Sequence, residues 1–229
     1  MGNRGARPKG RVKIKWSANF AYAIGLLVSD GCLSSGRYVI LVSKDVEQLQ
    51  NYMKALAILV PIGKTKSGYK GTIAFRVQFS DVLFYDFLET IGLMPNKSKI
   101  IGEIKIPARY FFDFLRGSFD GDGCTYSYWD PRWKSSFMFY TTFVSASERH
   151  ISWLRDEIYK RLKVRGHLTG DGRKITFQLK YAKADSMKIL QKMYPTEDVL
   201  CLSRKRLKIG EMLSIVGKSL PTTRMKLTK

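Results

Sequence analysis

Apolar residues along this chain fall into two periodicities, and the switches between them mark out its elements. Phe20-Ala-Tyr-Ala-Ile-Gly-Leu-Leu-Val-Ser-Asp-Gly-Cys32 opens as an apolar run suited to a buried helix. The β-branched run Tyr38–Ser43 (YVILVS) predicts a buried strand. Over 45–59, Val46, Leu49, Met53, Leu56 and Leu59 recur at helical spacing. Residues 64–80 read as a hairpin turning at Ser67-Gly68 or Lys70-Gly71 and ending in the alternating Thr72-Ile-Ala-Phe-Arg-Val-Gln-Phe79. A helix over 81–91 follows, with Ser80 or Asp81 as N-cap and Gly92 as C-cap.

The same order then returns. A strand is expected over 137–145, a helix over 147–162, a hairpin over 166–181 turning at Asp171-Gly172, and helices over 182–194 and 202–216. The segment Phe112-Asp-Phe-Leu-Arg-Gly-Ser-Phe-Asp-Gly-Asp-Gly-Cys124 matches the opening one at a shift of 92, and both hold Gly-x4-Asp-Gly-Cys. An internal repeat of this kind implies two fused copies of one unit. The expected organisation is α+β: a basic leader (1–16), a first αββαββα repeat (17–107), a second (108–218) and a basic tail (219–229). The segment 125–136 (TYSYWDPRWKSS) has no counterpart in the first copy and reads as an extended ribbon or loop over a bound polyanion, or as aromatics packed on a sheet edge.

The repeated helices have an unusual chemistry. Ala21 with Gly25, and Gly117 with Gly121, place small residues on one face. Mid-helix glycine costs about 1 kcal/mol against alanine, and close approach of two helix backbones is the compensation expected. Each helix ends in Asp-Gly, the glycine suiting a left-handed cap. If the helices pack together, Asp30 and Asp122 converge. Two such carboxylates repel unless a cation lies between them, and a hard divalent ion would take them with backbone carbonyls near Ser29 and Gly121.

Charge narrows the partner. The 229 residues carry 40 Lys plus Arg against 19 Asp plus Glu, net +21, with +9 in residues 1–107 and +12 in the rest. Both halves are basic, which suits one long polyanion. Hydrophobic residues at 45% describe a globular chain and not a disordered one. The longest apolar stretches, 22–28 and 55–62, fall short of the roughly 20 residues a spanning helix needs, so no membrane partner is expected. Three scattered cysteines and two histidines supply neither a disulfide framework nor a histidine-rich metal site. With no signal peptide in view, the expected setting is intracellular: a bacterial or archaeal cytoplasm, or an organelle.

Ala23-Ile-Gly-Leu-Leu-Val-Ser-Asp-Gly31 and Leu115-Arg-Gly-Ser-Phe-Asp-Gly-Asp-Gly123 resemble two copies of the motif that names the LAGLIDADG homing endonucleases. The second is close; the first has Val28 where the motif has its first Asp. Repeat order extends the resemblance over 17–218, as in the single-chain, two-repeat members. It implies central motif helices and two antiparallel sheets forming a saddle on DNA. It also implies a monomeric, divalent-metal-dependent endonuclease that cuts both strands across the minor groove and leaves four-base 3′ overhangs.

The metal implied is Mg²⁺, with Mn²⁺ or Ca²⁺ able to take the same sites, held by Asp30 and Asp122 with Ser29 and Gly121. Lys97 and Lys205 fall where members of this family place an active-centre lysine. The Gln often found at the end of the strand before the second helix is replaced by Ser43 and Ser145. The implied target is a pseudo-palindromic duplex of roughly 20 base pairs, bound with a steep salt dependence. Candidate DNA contacts are Lys44, Lys64, Lys66, Tyr69, Lys70, Thr72, Arg76 and Gln78 in the first repeat. In the second they are Arg165, His167, Thr169, Arg173, Lys174, Thr176, Gln178 and Lys180. Two alternatives use the same basic surface: a maturase assisting splicing of a host intron RNA, and a DNA-binding regulator that does not cut.

Overall fold

The computed structural model describes residues 10–67, 71–170 and 176–221. The expected turns at Gly68, Lys70 and Asp171-Gly172 lie outside these residues, as do the candidate contacts Tyr69, Lys70, Arg173 and Lys174.

The first repeat runs α1 (Ala18–Asp30), β1 (Gly31–Ser34), β2 (Tyr38–Ser43), α2 (Val46–Leu56), β3 (Ile62–Ser67), β4 (Thr72–Ser80) and α3 (Val82–Thr90). The second runs α4 (Phe111–Asp122), β5 (Cys124–Trp129), β6 (Phe137–Ser145), α5 (Glu148–Leu162), β7 (His167–Gly170), β8 (Phe177–Ala182) and α6 (Lys183–Met193), and α7 (Ser203–Ile215) follows. Each repeat builds one antiparallel four-stranded sheet, in the orders β1-β2-β4-β3 and β5-β6-β8-β7. The expected α+β, two-repeat architecture is the one observed. No helix among the described residues is long and apolar enough to cross a membrane.

Side-chain caps start α1, α3 and α5, the Asp81 cap being one of the two expected for α3. Ser17 accepts from the Phe20 amide, Asp81 from Phe84 and Ser147 from His150, each satisfying a first-turn N–H. Asp81 also accepts from the Arg11 and Val12 amides, at 2.6 and 2.9 Å, and Val12 is buried. Trp16 packs edge-on against Phe20 and Phe87. The expected leader is therefore tied to the first repeat from Arg11 onward.

Three expectations are corrected. The helix over 45–59 stops at Leu56, because Ala57 turns left-handed at φ 52°, and Leu59 is left 95% exposed. The first part of the unmatched segment 125–136 does have a counterpart: residues through Trp129 form β5, the longer equivalent of β1, and Tyr126 and Tyr128 stack on Tyr140 of β6. Gly31 and Gly123 are extended (φ −87° and −80°), not left-handed. Crowding demands glycine there instead. A Cβ on Gly31 would stand 2.6 Å from the Leu27 carbonyl oxygen, and one on Gly123 would stand 2.3 Å from the Phe119 ring.

The centre of the molecule is the seam between α1 and α4. A Cβ on Gly25 would lie 2.1 Å from the Phe114 carbonyl oxygen, and one on Gly117 would lie 2.0 Å from that of Tyr22. The small-residue face thus lets the two backbones touch, which explains glycine in two otherwise apolar helices. Tyr22, Ala23, Ile24, Phe114, Leu115 and Phe119 around them are fully buried.

The C-terminal segment then reaches back across the seam. Asn51 of α2 donates to the Cys201 carbonyl, Ser203 bonds Glu47, and Arg204 pairs with Asp45. Arg116, fully buried in α4, holds the same segment by donating to the Leu200 and Met193 carbonyls while pairing with Asp113.

Candidate active site

Contact between α1 and α4 brings their C-terminal ends together. Asp30 closes α1 and Asp122 closes α4. Gly121 sits so close to the other helix that a Cβ there would fall 1.9 Å from Ser29 Oγ and 2.8 Å from Asp30 Oδ2. Burial pushes the Asp30 carboxyl up to about 6, and the Asp122 charge adds to the rise. Asp122 is raised too, by the protein atoms crowding it. These two groups, on one basic protein, are held at a cost as anions, which is the condition expected of a cation site.

Each carboxylate lines its own recess. Asp30 shares one of about 260 Å³ with Ser43, Lys44, Gln48, Gly121 and Arg204. Asp122 shares one of about 170 Å³ with Ser29, Lys97, Ser145 and His150. Each recess therefore borrows residues from the opposite repeat.

The two expected lysines take matching positions. Lys97, in a short 3₁₀ turn (Lys97–Lys99), donates to the Gly31 carbonyl at 2.6 Å, and Lys205 of α7 donates to the Gly123 carbonyl at 2.7 Å. Lys205 also reaches the Phe119, Asp120 and Gly121 carbonyls at 2.5, 2.8 and 3.3 Å, so it caps the C-terminus of α4. Burial lowers the Lys205 ammonium to about 8 and lowers Lys97 as well, while the nearby carboxylates favour both charges.

This cap bears on the expected metal ligands. Gly121 O is already in hydrogen-bond contact with an ammonium, and Ser29 Oγ donates back to the Leu26 carbonyl at 3.1 Å. Among the described residues no three His, Cys, Asp or Glu side chains converge. Donors for a hard divalent ion here are thus two carboxylates that form no salt bridge among the described residues, with water and phosphate completing its shell; that set suits Mg²⁺ or Ca²⁺ and does not suit zinc.

Gln48 joins the site from outside the repeated motif. It stands in the first turn of α2, 3% exposed, and donates from Nε2 to Asp30 Oδ2 at 2.6 Å while Ser43 Oγ donates to its Oε1 at 2.8 Å. A glutamine does serve the first carboxylate, from the helix and not from the strand end. The Asp45-x-x-Gln48 spacing, a capping-box pattern, carried the signal.

Strand register sorts the candidate contacts by face. Ala74, Arg76 and Gln78 lie on the face opposite the buried Val77 and Phe79, and Thr72 shares it. Lys64 and Lys66, both exposed, pair with Phe75 and Ile73, which puts them on the other face. His167 pairs with Lys180 and Thr169 with Gln178, so these four share one open face of the second sheet. The Arg165 guanidinium stacks over Tyr159 of α5 at 4.6 Å, on the helix side of that sheet. Thr176 precedes β8 outside the paired residues, and Lys44 is exposed at the Asp30 recess.

No protein-family model matches the sequence, and no curated protein matches it. Solved structures do. The homing endonuclease I-WcaI bound to its DNA recognition sequence matches with TM-score 0.60 and 13% identity, over 85% of this chain and 88% of its own. I-DmoI in complex with DNA and Ca matches with TM-score 0.51 and 14% identity, over 77% and 89%. Full-length DUF199/WhiA from Thermatoga maritima matches with TM-score 0.56 and 14% identity over 90% of this chain, which spans 62% of that protein's length. The two-repeat αββαββα chain, with its paired Asp-Gly helices, has the fold of the LAGLIDADG homing endonucleases.

Proposed function

We propose that this protein is a site-specific, divalent-metal-dependent DNA endonuclease, acting as a monomer on both strands of a long pseudo-palindromic duplex. The observation that carries the reading is the meeting of Asp30 and Asp122 at the α1–α4 seam, each with a lysine on the carbonyl of the glycine that follows it. A single ordinary helix end gains nothing from a terminal Asp, which opposes the macrodipole. Two such ends packed together make sense as a site for phosphate chemistry.

Asp30 and Asp122 would hold Mg²⁺, or Mn²⁺ or Ca²⁺ in its place, and the cation would supply charge neutralisation at the phosphodiester oxygens. Around it the protein's own groups have definable tasks. Gln48 fixes the Asp30 carboxylate. Lys97 and Lys205 lie near both carboxylates and offset charge developing at a reacting phosphate. Arg76, Gln78, His167, Thr169, Gln178 and Lys180 face outward in the sense needed to reach base edges or phosphates in a major groove. Intron homing, with four-base 3′ overhangs, is the biological setting and product this reading assigns.

One observation favours the reading without cleavage: Lys205 occupies the α4 carbonyls, including that of Gly121. A regulator on this scaffold would keep DNA binding and lose metal dependence. The deciding experiment incubates the full chain with a randomised duplex library and Mg²⁺, then sequences the ends. Cutting that disappears in Asp30→Asn and in Asp122→Asn supports the assignment, and cutting that persists in both removes it. Binding to duplex DNA without cutting selects the regulator, and preferential binding to a structured intron RNA selects the maturase.

A further inference from the structure

Asp45 and Ser147 cap α2 and α5, and three residues inside each cap stand Gln48 and His150, both 3% exposed. The chain enters both helices in the same way. The Asp45 amide donates to Ser43 Oγ and the Ser147 amide to Ser145 Oγ, each at 3.0 Å. Gln48 and His150 are therefore pseudo-equivalent positions, one beside each carboxylate recess.

Their chemistry is opposite. Gln48 offers Asp30 a donor, the Nε2 amide at 2.6 Å. His150 Nδ1 lies 2.7 Å from the Gly102 carbonyl, which can only accept, and this assigns the ring proton to Nδ1. Nε2 is then a lone-pair acceptor. It is buried and has no hydrogen-bond partner among the described residues. Desolvation keeps the imidazole neutral, with its pKa lowered to about 4. A buried acceptor without a donor is costly, and the recess that His150 lines with Asp122, Lys97 and Ser145, about 170 Å³, has room for water.

We propose that His150 is a positioning residue for the Asp122 half-site: its Nε2 accepts a hydrogen bond from a water in that recess and orients the water beside the carboxylate. The inference rests on the endonuclease reading and refines it. The two half-sites become chemically unlike, with a carboxylate fixed by an amide donor at Asp30 and a water fixed by an imidazole acceptor at Asp122.

Activity-independent tests come first. The chain has two histidines, so ¹⁵N-histidine labelling of the wild type and of His167→Asn assigns His150 directly. The expected result at pH 7 is a neutral ring protonated at Nδ1, and a crystal structure of the full chain should show a water within hydrogen-bond distance of Nε2. A ring protonated at Nε2, or a recess without that water, overturns the proposal.

Strand-resolved nicking of a target recovered from the library then tests the role. His150→Ala should slow one strand about tenfold relative to the other, and His150→Gln should recover part of the loss. Gln48→Ala should bias cutting in the opposite sense. Equal slowing of both strands by His150→Ala overturns the proposal. If the wild type cuts nothing, the endonuclease reading fails, while the tautomer and the recess water still decide the placement of His150.

Discussion

Tyr22 of α1 donates its phenolic hydrogen bond to Asp120 of α4 at 2.8 Å, across the seam and out of contact with solvent. Asp120 Oδ2 also accepts from the Leu202 amide at 2.8 Å, at the start of the helix that carries Lys205. This carboxylate, which has Val28 as its counterpart in the first motif, thus ties both central helices to α7. Burial raises it to about 6 against the lowering effect of these two donors. Tyr22→Phe should cost about 1–3 kcal/mol at pH 7, by leaving a buried anion with one partner fewer. The loss should shrink at pH 4, where Asp120 is protonated. Urea unfolding at the two pH values checks it.

Glycines in equivalent chemical settings should respond oppositely to alanine. Gly25→Ala forces a Cβ against backbone atoms of α4 that have no room to yield, and should cost about 3 kcal/mol or more or prevent folding. Gly210, inside α7, has room for a side chain: a Cβ added there would meet nothing within 4 Å, so Gly210→Ala should stabilise by about 0.5–1 kcal/mol. Denaturation midpoints of the two variants separate close packing from helix propensity.

Asp30 should trade stability for its place in the site. Its folded-state pKa, about 6, lies above the ordinary 3.8, so the folded state binds the proton more tightly. Its contribution therefore falls as pH rises from about 4 to 6 and stays low above that range. Asp30→Asn, assayed without divalent cations, should be more stable than the wild type by about 1–2 kcal/mol at pH 7.5, after allowance for the solvent still near the carboxylate. The gain should vanish near pH 3.5. A variant no more stable than wild type at pH 7.5 would show that Gln48 and the two lysines already offset the charge.

Salt dependence should report which basic residues meet the duplex. Arg76→Ala and Lys180→Ala, on the open sheet faces, should each lower the log–log slope for a random-sequence duplex by about 1. Arg165→Ala should leave it unchanged, since that guanidinium lies on Tyr159. Fluorescence anisotropy over a range of salt concentrations is sufficient.

Element order, helix caps and the meeting of Asp30 with Asp122 were legible because each rests on local pattern or on the repeat itself. The faces of the ribbons were not. Small Ala74 sits on the polar face, buried in the Asp30 recess, so the alternation through β4 lost its phase; β3 has too few apolar residues to supply one. Gly31 and Gly123 misled for another reason, since a left-handed turn and a steric squeeze demand the same residue. Gln48 and His150 lay at a matched distance inside two helix caps. Only alignment of the caps, and not of the motif glycines, reveals that pair.

The borrowing of residues between recesses sets a rule for dismantling the molecule. Asp122 stands with Lys97 of the first repeat, and Asp30 with Gly121 and Arg204 of the second half of the chain. Cleaving the backbone between the repeats would leave two fragments, each holding an incomplete version of both centres. Their combined activity would depend on the product of the two concentrations, and a fragment carrying Asp122→Asn could not be rescued by excess of its intact partner. The two repeats form a single unit of complementation.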